Sequence, residues 1–207
     1  MNILRIYTIG HSNHSVEKFI QLLDMHRINC VCDVRSIPYS RYIEQYNREE
    51  FKEILQQHAI TYLYFGEELG ARREEKHLLT DGKVDFEKVS NDPKFLKGIE
   101  RIETGIKKGY RIALMCTEKE PIRCHRAILV SRNIYQRGME VLHILSDGTL
   151  IDHQKIEYEL VEKYFPNHNQ LCLFQSVDPV DYVKKAYIKA NKEIGYQEER
   201  EEGGQSC

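Results

Sequence analysis

Apolar positions recur along the chain in two rhythms. Short apolar runs of the kind that fill a buried strand occupy residues 3–9, 30–34, 60–65, 111–116 and 140–145, and between them apolar residues stand three and four apart, as one helical face requires. Val16, Phe19, Ile20, Leu22 and Leu23 predict a helix capped by Ser15. Phe51, Ile54 and Leu55 predict a second within 49–58, and Phe95, Ile99, Ile102 and Ile106 a third that Gly109 stops. Pro121 suits a first helical turn, so a fourth helix is expected from Pro121 to Gln136, ended by Gly138. A fifth is expected from His153 to Lys163, broken at Pro166, and residues 180–188 are again amphipathic. Ser146-Asp147-Gly148-Thr149 reads as a turn that lets Leu150 and Ile151 pair back onto the preceding strand. Residues 66–92, rich in glycine and charge, read as a long excursion with short helical pieces.

Strands alternating with helices predict an α/β fold of three layers, a mainly parallel open sheet of about five strands with helices on both faces. A chain of 207 residues has room for one substantial core. The expected organisation is a single α/β domain over 1–165, a C-terminal extension over 166–192 packed on it, and an acidic flexible tail over 193–207.

Composition narrows the class. No run approaches the length of a membrane span, and Met1-Asn2-Ile3-Leu4-Arg5 lacks the layout of a secretory signal, so a cytoplasmic protein without membrane partners is expected. The six cysteines, Cys30, Cys32, Cys116, Cys124, Cys172 and Cys207, read as free thiols, because a chain of this size needs no staples and Cys30 and Cys32 alternate onto one side of a strand. The net charge of -2 conceals a basic bias of +4 over residues 111–137 and an acidic one of -3 over 197–207. That distribution fits a small anion pocket better than a duplex-binding face, which shows a basic stripe and a high isoelectric point.

Three polar clusters each follow an expected strand: Gly10-His11-Ser12, Asp33 through Arg41, and Cys116 through Arg126. In a parallel sheet strand ends share one edge, and open α/β sheets hold their ligands there. Cys116 faces a helix start with Arg123, His125 and Arg126 close by, surroundings that favour thiolate and suit a nucleophile. Six residues separate Cys116 from Arg123, one more than in the phosphatase loop, and a small buried residue at a strand end is the plainer alternative. Cys116, Cys124 and His125, with His11, are a second reading as zinc ligands, although a seven-residue gap is longer than a zinc knuckle uses. A Cys116–Cys124 redox pair is a third. Asp33, Arg35 and Arg41 form either an anion-gripping rim or an internal salt-bridge network that fixes the loop. Gly10 permits close backbone approach by a ligand beside His11, Glu118 is an exposed acid/base candidate, and Tyr39, Tyr42 and Tyr62 offer stacking surfaces.

At these clusters the chain resembles the bacterial family called domain of unknown function 488. The motifs that carry the resemblance are Thr8-Ile9-Gly10-His11-Ser12, Asp33-Val34-Arg35-Ser36-Ile37-Pro38-Tyr39-Ser40-Arg41, Tyr62 with Gly66 to Gly70, and Leu114-Met115-Cys116 through Pro121, Cys124, His125 and Arg126. The resemblance spans about residues 6–145 and implies an intracellular α/β protein; it supplies a location for the site and no reaction.

The reading that follows is an enzyme acting on an anionic, phosphate-bearing substrate, a nucleotide or a nucleic-acid end. Arg35, Arg41 and Arg126 would hold the anion, with Ser12, Tyr39, Arg123, Cys124 and His125 completing the substrate-binding set. Cys116, His11, Asp33 and Glu118 would supply proton transfer or nucleophilic attack. The contrasting readings are a noncatalytic nucleotide- or nucleic-acid-binding module and a Cys/His zinc-stabilised loop. The residues name no cofactor or metal ligand, zinc being the less favoured reading, and the sequence gives no oligomeric state.

Overall fold

The computed structural model describes residues 4–167 and 179–197. Cys172, Cys207 and the acidic end from residue 198 lie outside the described residues. Six strands form one sheet: β1 (Arg5–Gly10), β2 (Cys30–Asp33), β3 (Thr61–Tyr64), β6 (Ile112–Cys116), β7 (Glu140–Ile144) and β8 (Leu150–Asp152). A separate two-stranded hairpin, β4 (Leu79–Thr80) and β5 (Lys83–Val84), lies in the excursion after β3. The sheet order is β3-β2-β6-β1-β7-β8, parallel throughout except for β8, which runs antiparallel to β7 as the turn at 146–149 predicts.

Helices cover both faces. On one, α1 (Val16–Met25) and α2 (Arg48–Gln57) bury Phe19, Leu22, Leu23, Phe51 and Leu55 against Tyr7, Ile9, Val31 and Met115. On the other, α5 (Pro93–Lys107) and α7 (His153–Tyr164) pack with Cys30, Cys32, Leu114 and Val141. Strand residues alternate between these cores with the two-residue period of a pleated strand, which places Cys30 and Cys32 on one side. Ser15 caps α1 through Lys18 N, and α5 stops before Gly109, whose φ of +91° glycine alone adopts at little cost.

The excursion folds as the short helices α3 (Gly66–Leu69) and α4 (Phe86–Ser90) around the hairpin. The C-terminal helix α8 (Pro179–Ile194) buries Ala186, Tyr187 and Ala190 in the second core and extends two residues past the expected boundary at 192. Beyond it Tyr196 accepts from Val84 N, and Gln197 bridges to Lys83.

One expectation is corrected. Residues 121–136 are not a single helix: Pro121–Arg123 form one tight turn, Cys124 is extended (φ −128°, ψ 136°), and winding resumes at His125. The first stretch, Arg126–Ser131, is π-helical and passes into α6 (Arg132–Gln136). The Ser131 hydroxyl donates to the Arg126 carbonyl at 2.6 Å, occupying an acceptor in the widened turn.

Connections place the site. From β1 the chain crosses leftward to β2 by way of α1, on one face; from β6 it crosses rightward to β7 by way of α6, on the other. The chain therefore leaves β1 and β6, which are adjacent, toward opposite faces of the sheet, the topological switch point at which open α/β sheets bind ligands.

Candidate functional site

Parallel register brings the three clusters together. Gly10 pairs with Cys116, and Asp33 with Met115, so the residues that follow each strand emerge side by side. The pairing continues past the strands: His11 N donates to the Cys116 carbonyl at 2.9 Å, Ser12 N to the Thr117 carbonyl at 2.8 Å, and Val34 N to the Met115 carbonyl at 3.0 Å. Gly10 has to lack a side chain here, since a Cβ would sit 2.0 Å from the Glu118 carbonyl oxygen. The close approach expected of a ligand at Gly10 is thus made by the protein's own loop.

Asp33 and Arg35, both buried, form one half of the site. Arg35 Nε donates to Asp33 Oδ1 at 2.9 Å and Nη2 to Oδ2 at 2.6 Å, a fork against a fork, and Nη2 also donates to the Tyr46 carbonyl at 2.8 Å. The Tyr62 hydroxyl donates to Asp33 Oδ2 at 2.7 Å; burial and the Asp33 charge push its own pKa up. Tyr46, which no sequence motif marks, stacks on His11 with ring centroids 4.2 Å apart.

His11 is fully used. Its Nδ1–H donates to the Ser12 carbonyl at 2.9 Å and Nε2 accepts from Arg35 Nη1 at 3.3 Å. Burial, then the Arg35 charge, push its pKa down to about 4, so it is neutral near pH 7.

The other half is built from Cys116, Cys124, His125 and Arg126. Cys116 Sγ lies 3.7 Å from His125 Nδ1, and His125 Nε2 lies 3.0 Å from the Val34 carbonyl, which ties this half to the end of β2. Both cysteines are free and buried. Their sulfurs share a hydrogen bond: it pushes the Cys116 thiol up, as burial also does. For Cys124 burial acts upward but is outweighed by the bond to Cys116 and the Arg126 charge, which hold the thiol down. Arg126 is completely buried, with Nη2 donating to the Lys119 carbonyl at 3.0 Å and Nη1 to that of Glu118.

Arg35 and Arg126, expected to grip an anion, are therefore spent on internal partners, the first on the loop-fixing network left open by the sequence and the second on the backbone of residues 118–119. Arg41, Arg123, Tyr39 and Glu118 are exposed, on the segments that leave β2 and β6, and Ser12 is half-buried. Ser36, Tyr64, Gly66, Arg72, Arg73 and Lys94 belong to a neighbouring polar cleft of about 500 Å³.

No helix among the described residues is long and apolar enough to cross a membrane. The family model described as domain of unknown function DUF488 matches residues 15–133, more than half of the chain. Neither the curated proteins nor the solved structures contain a significant match.

Proposed function

The chain belongs to the DUF488 family, whose description assigns no reaction, and from that premise we propose a cytoplasmic enzyme acting on an anionic, phosphate-bearing substrate, a nucleotide or a nucleic-acid end. Its reacting group is the Cys116–Cys124–His125 cluster, and the substrate approaches over the carboxyl edge of the sheet. The observation that carries this reading is the convergence of three sequence-distant polar clusters at the switch point of the sheet, joined through His11, Arg35, Val34 and His125. With Arg35 and Arg126 held internally, recognition of the anion falls to the exposed Arg41 and Arg123, and Tyr39 on the same rim offers a stacking face. Free thiols at the site fit a reducing compartment.

The test is a screen of nucleotides and of 5′- and 3′-phosphorylated oligonucleotides with the full chain, products read by mass spectrometry. Turnover is expected, with kcat/KM falling about tenfold or more in R41A/R123A while thermal stability is unchanged. Salt-sensitive binding with no product across the panel would replace the enzyme by a noncatalytic binding module.

A further inference from the structure

Cys116, Cys124 and His125 reach one point from three backbone directions: the end of β6, the extended residue after the Pro121–Arg123 turn, and the residue that opens the π-helical stretch. The two sulfurs and His125 Nδ1 all lie within 4.8 Å of one another. Two observations distinguish this group from chance neighbours. The Val34 carbonyl accepts only, so the contact to His125 Nε2 fixes the ring proton there and leaves the Nδ1 lone pair facing the sulfurs, the backbone-carbonyl support that metal-bound histidines use. The spacing also fits: Zn–S bonds of about 2.3 Å and Zn–N bonds of about 2.0 Å at tetrahedral angles hold S and N about 3.5 Å apart. Cys116 Sγ and His125 Nδ1 stand at 3.7 Å.

We propose that Cys116, Cys124 and His125 bind a zinc ion through three protein donors, with the fourth coordination position taken by water or by a substrate oxygen. Two soft sulfurs and an imidazole select zinc over magnesium, calcium or manganese. Both sulfurs bind as thiolates, and their two charges balance the dication, so the loaded site is neutral. Among the described residues no fourth Cys, His, Asp or Glu donor joins the group, and His11 has both nitrogens committed elsewhere. Three donors plus an exchangeable position is the pattern of a catalytic rather than a structural zinc. The inference rests on the proposed function for the role of the site in turnover, where it makes the metal, not a cysteine sulfur, the reacting group. For the binding itself it rests on the geometry alone.

The full chain, purified reduced from zinc-supplemented medium, is expected to carry one zinc per molecule by plasma mass spectrometry. Cobalt substitution is expected to give the thiolate charge-transfer and tetrahedral d–d bands of a two-sulfur site. C116S and C124S should each weaken zinc by about 100-fold or more, while C172S/C207S retains it in full. A measurement independent of variants is zinc titration into chelator-treated wild-type protein whose circular dichroism is intact, with saturation at one ion per chain and proton release on binding. Absence of saturable zinc binding below about 10 µM, or metal lost with C172S/C207S instead of C116S, overturns the site. Zinc without turnover in the phosphate panel retires the enzyme reading and leaves the metal centre standing. Turnover by the metal-free protein does the reverse.

Discussion

Two groups of histidines, buried except for the half-buried His125, differ in how their protons are arranged. Within the core under α7 and α8 the Thr8 hydroxyl meets His143 Nδ1 at 2.8 Å, His143 Nε2 meets His153 Nδ1 at 3.0 Å, His153 Nε2 meets the Tyr187 hydroxyl at 2.9 Å, and Tyr187 donates to Glu157 at 3.2 Å. One direction of donation satisfies every member, from Thr8 through both imidazoles to the carboxylate, and Arg132 lies over the Tyr187 ring at 4.4 Å. At the carboxyl edge His11 is likewise closed, but His125 keeps a lone pair turned toward two sulfurs. Burial depresses the titration of His143, His153 and His11 alike, so a displaced pKa does not separate structure from function here. What sets His125 apart is an acceptor nitrogen whose neighbours are sulfurs instead of oxygen or nitrogen partners.

Three experiments would break or sharpen that contrast. The largest effect is expected from D33A, which strands the buried Arg35 guanidinium and deprives Tyr62 of its acceptor; denaturant unfolding should show a loss of about 3–5 kcal/mol. A cost under about 1 kcal/mol would mean the ion pair does not hold the edge together. Next is acidification. His11 and His153 titrate in the fold near 4 and 3, below the ordinary 6.5, so the unfolded chain takes up protons first as pH falls. Their contribution is complete above about pH 6.5 and is lost toward pH 4, each histidine costing on the order of 1.4 kcal/mol per pH unit. Chemical denaturation at stepped pH measures this, and a flat profile over that window would contradict the neutral assignment. The smallest is H153A, expected to cost about 2 kcal/mol through a cavity and two lost partners, with zinc content and cysteine alkylation unchanged. If H153A altered either, the two groups would be one coupled network.

Much of the fold was legible because burial on a pleated strand and on a helix leaves different periods. The five apolar runs, the Ser15 cap and the stop at Gly109 all rest on local chemistry that tertiary contacts reinforce. The break at Cys124 was not legible, since proline at a first turn suits a tight turn as well as an α-helix, and the contact of Cys124 with Cys116 spans residues no local pattern links. Strands of two residues, as in the hairpin, carry no period to read. The location of the site followed from polar residues after strands, whereas the partners did not. Arg126 looks in sequence like one basic residue among several, and only its position under residues 118–119 commits it to backbone carbonyls. Tyr46 carries no motif, and the partners of His153 lie 10 and 34 residues away, beyond any local pattern.

The widened winding at Arg126–Ser131 has a mechanical consequence. Upstream it fixes where His125 stands, and downstream it sets the phase in which Arg132 reaches Glu87 and the Tyr187 ring. Removing a single residue from this stretch would restore ordinary winding and turn one end against the other by about 100°. The cysteine end and the α8 end of the same core are thus kept in step by the length of one turn, a quantity that insertion or deletion tests most directly.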